Sequence, residues 1–250
     1  MRFKDCVIHS VGEMLSKLKT QSKSTHITWF RGQSSSKWKL VPSLARKIGH
    51  LTAESAYIKK FMQNAMPYID TPPTSEWEWI FLMQHYRAAT RLLDWSESPL
   101  AALYFAVHES KLTRTDGAVW CLDPVALNRE AKLKFSFEFE IPAFGQDSVL
   151  DSYLPSRVNG TTAELFPVAI IGPRNTPRMA AQLGTFTINH RIHTPIEEIG
   201  VKKHVWRWII PARSKKSMMN ELSLLGYSAL TLFPELDRVA DHSRRLLDEI

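Results

Sequence analysis

The sequence predicts a single α+β domain, with helices packed on a mixed or antiparallel sheet. Apolar residues recur at helical spacing in the N-terminal part, whereas short apolar runs typical of strands dominate the second half, with one helix between them. This order differs from the regular strand–helix alternation of a parallel α/β sheet. No linker marks a second domain, so we predict one domain over 1–250, with its core at about 25–240.

Helical periodicity marks six segments. Ser10 and Ser98 are suited to cap the N-termini of two of them, and Pro99 fits a first helical position because its missing N–H costs nothing there. Gly226 is suited to close another helix at its C-terminus. The predicted helices are 7–18, 53–66, 76–86, the segment after Pro99, 215–225 and 235–249.

Strand patterns occupy six other segments, separated by turn residues. We expect the first strand to end at Arg31-Gly32, and Asp123-Pro124 to form a turn. The periodic pattern weakens over 133–177, which we interpret as a variable insertion, and 21–25 and 70–75 read as polar loops. The predicted strands are 27–30, 117–122, 168–171, 184–188, 204–210 and 227–232.

Composition limits the classes of function. The net charge of +7 favours an acidic partner, such as nucleic acid or a phosphorylated small molecule, although a generally basic protein is equally compatible with it. Cys6 and Cys121 lack metal-ligand spacing, so we expect reduced thiols and no metal. The N-terminus lacks the apolar core of a signal peptide, and no apolar run reaches the roughly 20 residues of a membrane span. We therefore expect a cytoplasmic protein without a membrane partner.

The most informative segment is 85–106, where charged and hydroxyl side chains interrupt an apolar run. Buried polar groups cost free energy unless they are paired, so such a run needs a specific reason. Arg91 lies just upstream of the helix that Ser98 caps, and a helix N-terminus attracts anions. The segment predicts an anionic ligand held against a core helix. Within it and the following helix, we expect the apolar side chains to be core: Leu93, Trp95, Leu103 and Phe105.

This segment resembles a known family. The run His85-Tyr-Arg-Ala-Ala-Thr-Arg-Leu-Leu-Asp-Trp-Ser-Glu-Ser-Pro is similar to the central motif of the FRG domain family, His-Tyr-Gly-x-Pro-Thr-Arg-Leu-Leu-Asp-Trp-Thr-x-Ser-Pro. The Phe-Arg-Gly element that names the family occurs at 29–33. Two further signatures occur at 178–187 and 232–237, so the matches run in the family's order over most of the chain. Arg87 and Ala89 depart from the pattern, which has Gly and Pro there.

Members of this family resemble effectors of toxin or phage-defence systems, which implies an antitoxin or sensor protein as a partner. The strand–Arg–Gly element and the Ser-capped helix also resemble parts of the ADP-ribosyltransferase fold. That resemblance implies NAD as substrate, with Arg31 on its phosphates and Ser98 beside the nicotinamide. A catalytic Glu would stand on a late strand. Here Gln182 precedes that strand, and Glu235 and Asp237 are the nearest carboxylates borne by a motif.

The site expected from these arguments has two groups of residues. We expect His85, Gln182 and Glu235 to be catalytic. Each residue also has a structural interpretation: Arg31 pairing with Asp94, His85 as a packing residue, Glu235 favouring a helix dipole. The expected cofactor-binding residues are Arg31, Gly32 (letting a ligand approach the backbone), Gln33, Arg91, Asp94 and Ser98.

Two other classes of function remain open at this stage. The same cluster can form a pocket for a nucleotide or signal molecule without turnover, which the missing late-strand Glu favours. A nucleic-acid-binding protein or nuclease is favoured by charge and by Trp206-Arg-Trp208, although alternation on a half-buried strand explains that run equally well. His190 and His193 have the spacing of two metal ligands, but no third ligand accompanies them, so we interpret them as solvated or loop histidines.

Overall fold

The computed structural model describes residues 1–21, 27–47, 49–132, 140–158, 160–191 and 194–248, and these form an α+β fold on one seven-stranded sheet. The strand order is β1-β7-β4-β2-β3-β6-β5. β1 and β7 are parallel, and every other neighbouring pair is antiparallel. The sheet is therefore mixed, which is one of the two arrangements predicted. The strands are β1 Cys6–Val7, β2 Trp29–Gln33, β3 Leu92–Ser96, β4 Gly117–Leu122, β5 Val168–Ile170, β6 Gly184–Ile188 and β7 Val205–Ile210.

Local capping signals set the starts of several helices. Ser98 Oγ accepts a hydrogen bond from the backbone N–H of Ala101, and Ser75 and Glu78 form a reciprocal capping box. None of the described helices is long and apolar enough to cross a membrane. The helices are α1 Val11–Gln21, α2 Glu54–Ala65, α3 Glu76–His85, α4 Pro99–Val107, α5 Pro124–Glu130, α6 Pro155–Val158, α7 Pro177–Ala181, α8 Lys215–Leu224, α9 Ala229–Leu232 and α10 Leu236–Asp248.

Apolar side chains cover both faces of the sheet. Along β2, Trp29 belongs to the core cluster on one face and Phe30 to the cluster on the other, because successive strand residues point to opposite faces. Trp206 and Trp208 join the cluster of Phe30 and are buried, so the half-buried-strand interpretation of that run is confirmed and its indoles are not exposed for base stacking.

α4 lies directly on β2, and Gly32 is the reason it can. A Cβ at Gly32 would overlap the carbonyl oxygen of Ala102, so the helix backbone occupies the space that a side chain would need. The close approach that we expected a ligand to make at Gly32 is made by α4 instead. This packing fixes the Ser98-capped helix against the strand that carries Arg31.

Several predicted boundaries differ from the structure. The predicted strand at 227–232 is wrong: Ser228 Oγ accepts from the N–H of Thr231 and starts α9. β2 does not end at Arg31-Gly32 but continues to Gln33, because it pairs with β4 over its full length. β3 was not predicted, and Asp123 caps α5 rather than forming a simple turn. Phe105 is only half-buried, whereas the other three predicted core residues are buried.

The segment that we interpreted as an insertion contains ordered elements where it is described. These are the 3-10 turn Ser148–Tyr153, α6 and β5. Part of this segment lies outside the described part of the chain, namely residues 133–139 and 159. The same is true of three other predicted features: the loop residues 22–25, His193 and Glu249.

Candidate functional site

A cleft opens where β2 and β3 part. These neighbouring strands pair only at Phe30 and Ser96, although each is five residues long. Beyond that pair the side chain of Arg31 lies between the strands, and its Nη1 donates to the carbonyl oxygen of Asp94 at 2.6 Å. The cleft has a volume of about 900 Å³ and is bounded by β2, β3, α7 and the C-terminal end of α3.

Arg31 forms the inner wall of this cleft. Its side chain is 18% exposed, and its Nη1 lies 3.8 Å from Asp94 Oδ2. The buried Nε has no hydrogen-bond partner among the described residues. Burial lowers the pKa of the guanidinium, the charge of Asp94 opposes that effect, and Arg46 adds to it. Because a guanidinium stays protonated in proteins, the cleft wall has a largely desolvated cation.

Asp94 faces the cleft, and hydrogen bonds from Gln84 fix the position of its carboxylate. Its side chain is 57% exposed, yet both carboxylate oxygens accept from Gln84 Nε2 at 2.8 Å. Thr90 Oγ1 donates in turn to Gln84 Oε1, which fixes the orientation of the amide. The cleft therefore contains a carboxylate in a defined position with room beside it for a ligand.

His85 ends α3 and lines the same cleft. Burial lowers the pKa of its ring, the charge of Arg178 lowers it further, and Glu235 opposes both. The ring is therefore largely neutral at pH 7 and able to accept a proton. Its buried Nδ1 has no hydrogen-bond partner in the described residues.

Arg178, on α7, is a cleft residue that the sequence analysis did not select. Its side chain is 20% exposed, lies 3.7 Å from Glu235 Oε1 and stacks over the Phe233 ring at 4.8 Å. Burial is the main cause that lowers the pKa of this guanidinium, followed by Arg87. The signal that could have identified it was present, because it opens the third family signature.

Some of the predicted site residues meet in the cleft. Arg31, Gly32, Gln33, His85, Asp94 and Gln182 all line it. The side chains of Gln33 and Gln182 are already engaged, however. Gln33 Oε1 accepts from Trp120 Nε1 at 2.9 Å, and Gln182 Nε2 donates to the carbonyl oxygen of Leu232 at 2.9 Å.

The other three predicted residues lie outside the cleft lining. Arg91 is buried and bonds to Glu54 and to the carbonyl oxygens of Asn189 and Tyr153. Ser98 caps α4 and lies 3.3 Å from Tyr227 Oη, while Ser96 faces the cleft in its place.

Glu235 reaches the cleft only through its charge. It precedes α10, accepts backbone hydrogen bonds of that helix's first turn through its carbonyl oxygen, and pairs with Arg178. That placement is the one expected of a carboxylate that favours a helix N-terminus.

Four arginines and three carboxylates line the cleft, so positive charge is in slight excess. Two guanidinium pairs influence each other electrostatically, Arg31 with Arg46 and Arg178 with Arg87, and Asp94 acts on a member of each pair. At its mouth, the rings of Trp38 and Tyr86 are 50% and 68% exposed. Such an arrangement suits a ligand with anionic groups and flat rings.

Comparison with known proteins identifies the family of this region. Residues 26–115 match the family model of the FRG domain. The matched region includes β2, α2, α3, β3 and α4, and therefore three of the four elements that bound the cleft. The match confirms the resemblance for this region, which includes the motifs at 29–33 and 85–106, whereas the signatures at 178–187 and 232–237 lie outside it. Searches of curated proteins and of solved structures gave no significant match.

Proposed function

We propose that this FRG-domain protein is a cytoplasmic effector that binds NAD in the cleft between β2 and β3 and transfers ADP-ribose to a macromolecule. The observation that supports it most is the largely desolvated Arg31, which lies 3.8 Å from the positioned carboxylate of Asp94 and lines the same cleft as the neutral His85. A volume of about 900 Å³ lies in the upper part of the range of about 300–1,000 Å³ for ligand pockets, as a dinucleotide requires.

The binding part of the proposal depends on the wall at β2. Arg31 would donate to the pyrophosphate, because a guanidinium fork matches phosphate oxygens and its desolvation here strengthens the pairing. The exposed faces of Trp38 and Tyr86 offer stacking surfaces for the adenine or nicotinamide ring.

The chemical part depends on Asp94 and His85. In the transfer, the bond between ribose C1′ and nicotinamide breaks, its electron pair leaves with the neutral nicotinamide, and the acceptor's nucleophile bonds to C1′. Asp94 would stabilise the positive charge that develops on the ribose, since a fixed carboxylate costs little reorganisation. His85 would take the proton of the nucleophile, which a neutral imidazole can do at pH 7.

This assignment differs from the three catalytic residues expected from the sequence. His85 keeps its role. Gln182 donates its amide to a backbone carbonyl, and Glu235 pairs with Arg178 at the start of α10, so Asp94 is the better candidate for the reacting carbon.

A binding module without turnover is the second candidate function. The engagement of Gln182 favours it, because the position that resembles the ADP-ribosyltransferase carboxylate is occupied by an amide already in use. In that case the cleft would hold a nucleotide signal through the same arginines.

Incubation with radiolabelled NAD and a cell lysate separates the two functions. Transfer predicts a labelled macromolecule with the wild type and about 100-fold less label with Asp94→Asn. Glu97→Gln is the matched control, because Glu97 follows β3 directly but pairs with Arg174 and does not line the cleft. If the protein bound NAD but neither labelled a macromolecule nor released nicotinamide, its function would be that of a binding module.

A further inference from the structure

The turn after α3 has an arginine at a position where the backbone conformation favours glycine. Arg87 has a φ of 60°, in the left-handed region where glycine is favoured. Its N–H donates to the carbonyl oxygen of Gln84 at 3.0 Å, and the N–H of Ala88 donates to that of Met83 at 2.9 Å. This hydrogen-bond pattern is the Schellman motif that commonly ends a helix with glycine at this position.

The conformation is held in place and does not depend on the arginine. Tyr57 Oη accepts a hydrogen bond from the N–H of Ala89, which anchors the turn to α2. A glycine would therefore keep the same turn and relieve the strain of a Cβ in the left-handed region. The arginine destabilises the turn, so its side chain is the feature to explain.

That side chain lines the cleft next to another cation. Arg87 and Arg178 both belong to the lining, and their charges repel each other. Glu235 pairs with Arg178, whereas no carboxylate in the described part of the chain forms an ion pair with Arg87. Two neighbouring guanidinium groups, one of them at a strained position, lose their repulsion when an anion binds between them.

We propose that Arg87 and Arg178 form a second phosphate subsite, so that the cleft selects a nucleotide with a phosphate monoester in addition to its 5′-phosphate group. The first subsite is the pair of Arg31 and Arg46, and the charge of Asp94 acts on one arginine of each pair. This inference rests on the proposed nucleotide site and adds its ligand class: a 2′-phosphorylated dinucleotide makes the contacts proposed for NAD and, through its extra phosphate, binds more tightly than NAD. Arginine is suited to bind a ribose phosphate, because its guanidinium donates two parallel hydrogen bonds to phosphate oxygens.

The test uses two fragments that lack nicotinamide, so it does not depend on turnover. Calorimetric titration of the full chain should show adenosine 2′,5′-bisphosphate binding about 10-fold or more tightly than AMP. Arg87→Gly should reduce this ratio to about 1, leave the affinity for AMP unchanged, and raise the melting temperature by about 2–4 °C because the strain is removed.

Two further variants separate charge from backbone. Arg87→Ala removes the guanidinium but keeps a Cβ at positive φ. It should therefore lower the ratio of the two affinities to about 1 without raising the melting temperature. Lys202→Gly is the matched control: it also removes a cation at positive φ (58°) but lies outside the cleft lining, and it should keep the ratio. Equal binding of the two fragments to the wild type, or an unchanged ratio in Arg87→Gly, would overturn the subsite alone. Failure of both fragments to bind would overturn the proposed nucleotide site itself.

Discussion

Gln84 Nε2 donates to both carboxylate oxygens of Asp94, each at 2.8 Å, and this contact determines how the cleft presents its carboxylate. The two residues lie on α3 and β3, and Thr90 fixes the amide from the other side. An exposed carboxylate would otherwise sample several rotamers. The amide therefore orients Asp94 without neutralising its charge, which is the condition for electrostatic stabilisation of a transition state.

Gln84→Leu is the first prediction. Loss of the amide frees the rotamer of Asp94, so turnover of NAD should fall by about 10-fold while KM changes less than about 3-fold. Gln84→Glu keeps the size of the side chain but places a second carboxylate beside Asp94, and should be at least as damaging. Steady-state release of nicotinamide measures both variants. A rise in KM with unchanged kcat would show that Gln84 contributes to binding rather than to the position of Asp94.

Glu235→Gln is predicted to change the pH profile rather than the maximal rate. The charge of Glu235 raises the pKa of His85, against burial and Arg178, which lower it. Removing that charge should lower the pKa of His85 further. Since the base must be neutral, the acidic limb of the kcat/KM profile should move to lower pH, and activity at acidic pH should rise relative to the plateau.

The plateau rate of Glu235→Gln is the control for this assignment. It should stay within about 2-fold of the wild type, because Glu235 does not line the cleft. A loss of about 100-fold at the plateau would place Glu235 at the reacting carbon, which is one of the two roles that the sequence left open for it.

Arg91→Ala is predicted to damage the fold rather than the site. Arg91 and Glu54 form an ion pair with side chains 1% and 4% exposed, so the variant leaves a buried carboxylate and two carbonyl groups without their partner. The free energy of unfolding should fall by about 3–5 kcal/mol, measured by urea denaturation. Arg174→Ala, which breaks the exposed pair with Glu97, should cost less than about 1 kcal/mol. If Arg91→Ala kept the stability of the wild type but lost nucleotide binding, Arg91 would be a binding residue, as the sequence predicted.

Sequence reasoning located the elements with local signals. The Ser98 cap and Pro99 predicted α4, and Gly226 (φ 81°) closes α8 as expected. β3 was missed because Leu92 and Leu93 are both buried, which hides the alternation of a strand covered on both faces. The alternating apolar residues of 227–232 resembled a strand, but the cap at Ser228 decides the local structure.

The site was harder to predict for a physical reason. Polar residues in one motif separate into the cleft and the interior according to partners far along the chain. Arg91 meets Glu54, 37 residues away, whereas Asp94, three positions later, faces the cleft. Arg178 enters the cleft from another part of the sequence, and no spacing within the central motif indicates it.

The most direct test of the account is calorimetric titration of the full chain with NAD, because every step of the proposal requires the dinucleotide to bind at Arg31. We predict saturable binding by the wild type, and affinity at least about 10-fold lower in Arg31→Ala, which loses a charge-assisted pairing in a desolvated site. Arg207→Ala, which removes an arginine paired with Asp5 away from the cleft, should bind as the wild type does. Absence of binding to the wild type at millimolar NAD, or equal binding by Arg31→Ala, would contradict the account.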